Sequence, residues 1–253
     1  MCCFSGPIAH VSGTSIFARL EGGRQLLAYQ MRFTSLEDIA MILPLPISHG
    51  HGDLAVEFVN LTETPQLFDE LGQCFRSPPS RSVAADAVAG GPTPLVVRRI
   101  GAYDASFVPA IADFARLDPR FRLPDAVLAR MPAYADYGFA VFQLRKGEAE
   151  VHPMALRFMT RRPDRLFFPT VHAHHGDAPA DAAFDHTLYL QAPAGVNAKH
   201  DWEPATHAVS EVVSLGNILR RDPTHGLIDR KWPLFRRQIN GVHPNSDTWA
   251  DPI

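Results

Sequence analysis

Read for the spacing of apolar and polar positions, the chain is mostly extended. Ser15–Leu20 and Arg24–Phe33 flank Glu21-Gly22-Gly23, a hairpin signal, and Glu37–Leu43 runs into Pro44-Leu45-Pro46 as a third strand. Leu54–Leu61, Leu95–Ala102, Phe139–Arg145 and Met154–Thr160 have the same character. Helical spacing appears in three places. Thr64 and Pro65 open a segment with Leu67, Leu71 and Cys74 on one stripe. Phe107, Ile111, Phe114 and Leu117 predict a helix capped by Asp104 or Ser106, and Leu123–Ala135 a shorter one interrupted by Pro132. Val209–Leu219 fits strand or helix, and the tail carries Trp232, Phe235 and Trp249, aromatics that need cover. The expected fold is α+β, predominantly antiparallel sheet with two or three packed helices. A single compact domain over 1–253 is expected, with a flexible loop at 76–94, where Pro, Gly, Ser and Ala replace large apolar residues.

Composition narrows this only a little. The 253 residues are 46% hydrophobic and 20% charged, enough to bury a sizeable core. The 22 prolines favour strands and short helices over long ones. A net charge of −3 implies no general affinity for nucleic acid, and Arg157, Arg161, Arg162 and Arg165 read as a solvated face. No apolar run approaches the ~20 residues that span a bilayer. The start shows no basic-then-apolar leader. A cytoplasmic protein is expected, or a secreted or periplasmic one if a leader has been removed. No phosphate-binding glycine loop is present, so no nucleotide cofactor is expected.

Chemistry concentrates between Glu150 and Gln191, which hold His152, His172, His174, His175 and His186, five of the twelve histidines. Two expected strands, Arg165–His175 and Phe184–Ala192, flank GDAPADAA as a hairpin with an eight-residue connection. Residues two apart on a strand share a face. His172 and His174 then join Leu166 and Phe168, and His186 joins Phe184, Leu188 and Leu190. If those faces coincide, three neutral imidazoles gather with a position open for water or substrate, a set suited to Zn, Cu or Fe, with Zn or Cu favoured if thiolates join. A slip of one residue would turn His186 away and bring Asp185 opposite His174. Histidines at strand ends also commonly just meet backbone or water. His49-Gly50-His51-Gly52-Asp53 repeats a ligand-like spacing on a glycine-rich loop, while His200, Asp201, Glu203 and His207 could line a cleft or lie on the surface.

Three cysteines make no disulfide framework. Cys74 reads as a buried apolar residue. Cys2 and Cys3 admit two roles: extra thiolate ligands beside the imidazoles, or, with Met1 removed, an N-terminal nucleophile in which the α-amine of Cys2 serves as base. Around Arg19 the first twenty residues loosely resemble the choloylglycine hydrolases, which place an arginine shortly after an N-terminal cysteine. Their following Asp and later Asn are not matched. That resemblance implies a substrate-orienting role for Arg19.

CCFSGPIAHVSGTSIFAR, RQLLAYQMRF, DIAMILPLP, YGFAVFQL and FDHTLY together resemble a family of bacterial proteins defined by a domain of unknown function. Its members share a Cys-rich start and a (V/I)LPxP strand, and many are secreted. The resemblance spans most of the chain and implies a shared fold without an activity. Three functions follow for testing: a metal-binding protein, as a hydrolytic or copper/iron redox metalloenzyme or a plain binder; an amidohydrolase using Cys2, with a small-molecule or peptide substrate; and a non-catalytic binding protein.

Overall fold

A computed structural model describes residues 3–75, 98–100, 103–150, 152–173, 177–193, 195, 201–209 and 222–251. In chain order its strands are β1 (Cys3–Phe4), β2 (His10–Glu21), β3 (Arg24–Ser35), β4 (Ile39–Leu45) and β5 (Val56–Val59). After helix α1 (Leu67–Gln73) come β6 (Arg98–Ile100) and β7 (Tyr103–Val108). Helix α2 (Asp125–Ala129) precedes β8 (Gly138–Leu144), β9 (Gly147–Glu150), β10 (Met154–Met159) and β11 (Leu166–Phe168). The chain ends with β12 (Asp181–Gln191), β13 (Glu203–Pro204), β14 (Leu234–Pro244) and β15 (Thr248–Ala250). Short 3-10 turns fill Ile111–Arg116, Pro119–Phe121 and Pro132–Tyr134.

Two sheets form the body. The first, β1-β4-β8-β7-β6, is antiparallel. The second has eight strands, β13-β14-β12-β2-β3-β10-β5 with β9 beside β3. It is mixed, because β12 runs parallel to β2, pairing His186 with Thr14 and Gln191 with Arg19. Leu27, Tyr29, Met31, Leu156 and Leu188 of one sheet pack with Met41, Leu43 and Phe142 of the other.

The outer faces are covered too. Residues 108–137, with Phe114, Phe121, Val127 and Tyr134, lie over Ile42, Phe139 and Val141 of the first sheet. Helix α1 and Leu227–Ile228 lie over Phe17, Leu26, Ala28 and Tyr189 of the second. Burial on both faces explains why β4 reads as an unbroken apolar run and β3 as apolar residues on successive positions from Leu26 to Tyr29, and not as alternation. Pro44 pairs with Phe139 where β1, which meets β4 only at Met41 and Ile42, no longer runs along the opposite edge.

Several expectations are corrected. The fold is mostly β, with 46% of residues in strands and 14% in helices, so α+β with packed helices does not describe it. The stretch from Asp104 to Leu117 is not a helix: Tyr103–Val108 pairs with β8, and Pro109 separates it from a 3-10 segment. Helix α1 begins at Leu67 after Gln66, two residues beyond Pro65. The 165–192 hairpin does not form. β11 pairs with β15, and β12 pairs with β14 and β2. The loop expected at 76–94 and most of Val209–Leu219 lie outside the described residues. No described helix is long and apolar enough to cross a membrane.

Candidate functional site

Three amide side chains tie this architecture together, and one of them sets the site. Beyond β11 the chain leaves regular pairing, so its backbone polar groups need partners. Side chains from the segment 245–248 supply them. Asn245 Oδ1 accepts from His172 N at 2.6 Å, and its Nδ2 donates to His172 O and to Pro179 O, each at 2.8 Å. Asp247 Oδ1 accepts from Thr170 N at 2.9 Å and Val171 N at 3.1 Å. Thr170 Oγ1 donates to Ser246 O at 2.9 Å and meets Thr248 Oγ1 at 3.0 Å. The residues from Thr170 to His172 are thus held by side chains as a strand would be held by a neighbour.

His186 arrives on β12, level with Thr14 inside a bulge in β2 between Ser12 and Ser15. Gly13 there has φ +61, a conformation glycine adopts without strain, and its N–H donates to Asp185 Oδ2 at 2.6 Å. His172 and His186 are both buried. Their ring centroids lie 5.3 Å apart with 25° between planes, a stacked pair. Phe184 closes on both, at 4.4 Å from His172 and 5.1 Å from His186, and His243 lies 5.9 Å from Phe184. Burial pushes the His186 pKa far below its ordinary value, and the neighbouring His172 adds to this, so the ring is neutral.

A second set of groups adjoins the first through the same backbone. Tyr134 donates from its hydroxyl to Asp247 Oδ2 at 2.5 Å. Burial raises the Asp247 pKa to about 6, against the three donors that favour its ionised form. Burial, the Asp247 charge and the Cys3 thiol all raise the Tyr134 pKa, so the phenol stays protonated. Cys3 is itself buried. β1 bridges Ala173, next to His172, and Phe4 N donates to Ala173 O at 3.0 Å.

The residues singled out from sequence therefore divide. His172 and His186 come together, by packing and not by a hairpin ladder. Cys3 sits beside Tyr134. Cys2, His174, His175 and His200 lie outside the described residues. His152 precedes β10, three strand positions from β12, roughly 14 Å at the usual spacing. Arg19 lies on β2 opposite Gln191, five residues along from Thr14. Its side chain is buried and bonded to Leu227 O at 3.2 Å and Gly226 O at 2.5 Å. In the His49–Asp53 loop, Arg116 takes the Asp53 carboxylate with both terminal nitrogens, at 3.0 and 3.3 Å. Asp201 and Glu203 pair with Arg237 and Arg236 at 2.7 and 2.6 Å. The four arginines at 157, 161, 162 and 165 each meet a carboxylate, from Glu57, Asp136, Asp164 and Asp251.

Among the described residues no three His, Cys, Asp or Glu side chains converge as a metal-ligand set. The Asn245 and Asp247 contacts were not visible beforehand. The only cue, Asn-x-Asp ahead of an aromatic, reads as an ordinary turn.

No family model matches the chain, and no curated protein does. Among solved structures, it is similar to baculovirus P35 at 12% identity, covering 100% of both chains with a TM-score of 0.48. A mutated baculovirus P35 after caspase cleavage gives 12% identity over 96% of this chain and 100% of that one, with a TM-score of 0.49. P35 in the caspase-8/P35 complex gives 10% identity over 96% of each chain and a TM-score of 0.46.

Proposed function

We propose that the chain is a thiol-dependent amide hydrolase with Cys2 as its nucleophile. One observation carries this: the backbone of Cys3–Phe4 is bonded to Ala173, at the junction of the His172–His186 pair and the Tyr134–Asp247 pair. Asp247, whose pKa burial raises to about 6, and the imidazole pair thus lie beside the segment that follows Cys2. With Met1 removed, the α-amine of Cys2 takes the thiol proton, and the sulfur attacks the acyl carbon of an amide. The amine leaves with that proton. Water then cleaves the thioester and restores the thiol. Arg19, bonded to the 226–227 turn, takes no part in this reading.

Intact mass and peptide mapping after iodoacetamide treatment of the native protein test the premise. Loss of Met1 and rapid alkylation of Cys2 are expected, with buried Cys3 and Cys74 labelled only on unfolding. Retained Met1, or an unreactive Cys2, rules the reading out.

A metal-binding reading has its own support in two buried imidazoles from separate segments, with His186 held in the neutral form that ligates. Stacked rings face each other, so one must turn before both lone pairs reach a shared zinc or copper ion. His174 is the third ligand this reading calls for. Elemental analysis decides it: near-stoichiometric Zn or Cu, lost in His186→Ala, supports it, and metal-free protein after purification without chelator excludes it.

A further inference from the structure

A hollow of about 160 Å³, away from the histidines, is lined by Glu21, Arg24, Leu26, Arg157, His225 and Gly226. Strand register explains why so many cations meet there. Leu26 on β3 stands opposite Arg157 on β10 and Arg19 on β2. Arg24, two residues before Leu26, shares its face and stands opposite Glu21. Three guanidinium groups therefore rise from neighbouring positions of one sheet face, beneath the turn that carries His225 in a left-handed conformation at φ +51.

Their donors exceed the acceptors around them. Arg19 Nε and Nη2 reach Leu227 O, Gly226 O and Glu21, but buried Nη1 has no hydrogen-bond acceptor among the described residues; its nearest carboxylate is that of Asp229, at 3.9 Å. Arg157 donates to His225 O and, at a long 3.4 Å, to Glu57, while its buried Nε has no acceptor among the described residues. Arg24 is exposed and makes no ion pair among the described residues. Buried donors without acceptors are costly and mark places where an ion or water is expected. The carboxylates that serve this cluster are poor competitors. Glu21 and Glu57 are 59% and 56% exposed, so water screens their pairing and they can swing aside.

We propose that this hollow binds a phosphate group, held between Arg24 and Arg157 below His225, with Arg19 adding field from beneath. A dianionic tetrahedral group gathers its charge and its acceptor oxygens on one centre, within reach of donors that the flanking carboxylates leave unmet, and arginine forks match its geometry.

Calorimetric titration of the full chain with inorganic phosphate, against chloride at equal ionic strength, tests this. Phosphoserine in a parallel titration separates free phosphate from a phosphate carried on a larger ligand: whichever binds more tightly names the source. Arg24→Gln is expected to weaken binding about tenfold, the loss of one charge-assisted contact. Glu57→Gln is expected to tighten it severalfold by removing the competitor. Both positions are exposed, so circular dichroism is expected to match wild type. No binding of either phosphate beyond the chloride control, or equal affinity in Arg24→Gln and wild type, overturns the proposal.

Discussion

Gln25 offers the sharpest test of how the site is held in place. Its side chain is fully buried on β3. Nε2 donates to Phe167 O at 2.6 Å, and Oε1 accepts from Phe167 N at 3.0 Å. The amide thus takes the place of a strand along the edge of β11 that β15 does not use. Gln25→Leu keeps the volume and strands one buried N–H and one buried C=O, at about 1–3 kcal/mol each. Burying an apolar group in place of an amide returns about 1 kcal/mol, so a net loss of about 1–5 kcal/mol, centred on about 3, is expected. With a urea slope of about 3 kcal/mol/M, the unfolding midpoint falls by about 1 M.

Gln25→Glu makes the cause specific. A protonated carboxyl donates to Phe167 O and accepts from Phe167 N, whereas a carboxylate only accepts. Burial raises the folded pKa of that carboxyl above its unfolded value of about 4.3. Its stabilising contribution is therefore present below about pH 4 and is lost as pH rises, by about 1.4 kcal/mol per pH unit until the folded pKa is passed. Urea midpoints at pH 4 and pH 7, each referred to wild type, read this directly. If Gln25→Leu costs under 0.5 kcal/mol, about the scatter among harmless substitutions, or if Gln25→Glu tracks Gln25→Leu at both pH values, the clasp argument is refuted.

Other consequences are independent of that clasp. A methyl group at Gly138 would lie 2.7 Å from the Phe107 ring and 2.8 Å from Ile47, so Gly138→Ala is expected to cost about 1–3 kcal/mol, read as a lowered Tm. Because the Asp247 pKa is raised on folding to about 6, its contribution is present below about pH 4 and falls away as pH rises through 6, by up to about 3 kcal/mol. Asp247→Asn is expected to flatten that part of the stability–pH curve, measured by urea unfolding. The Cys74 thiol, pushed up to about 11 by burial, is expected to react with a disulfide reagent at pH 8 only at the rate of unfolding.

The strands were legible where burial left a pattern: β2, β3, β4, β8 and β10 were expected near where they form. Residues 104–117 misled because Phe107, Ile111, Phe114 and Leu117 do repeat at helical spacing. Pairing of Ser106 with Val141 and of Phe107 with Ala140 outweighs that local preference, and Pro109 and Pro119 leave room only for short turns. The 165–192 hairpin failed for a related reason. Local proximity favoured it, yet the partners of β11 and β12 come from residues 248–250, 234–244 and 14–19, contacts that nothing within the segment announces.

That His172 and His186 nevertheless meet shows which part of the histidine argument was physical. Apolar matching was expected to place both rings on one buried surface, and both rings are buried and meet, with Phe184 packed against each. The agent that fixes the distance is different. A strand register would set it through a ladder of backbone bonds; here Asn245 grips one residue, His172, by its own N–H and C=O. Gln25 grips Phe167 in the same way, and Gln191 accepts from Asp229 N at 2.9 Å while donating to Asp229 O at 2.6 Å. Each amide side chain can turn one N–H and its carbonyl oxygen to the same residue, the complement of a single extended residue, and so can hold a segment that has no strand beside it. Such a hold is local. Asn245→Ala removes both bonds from the backbone of His172 and leaves the β12–β14 ladder untouched, so it separates the placement of the imidazole pair from the stability of the sheet beneath it.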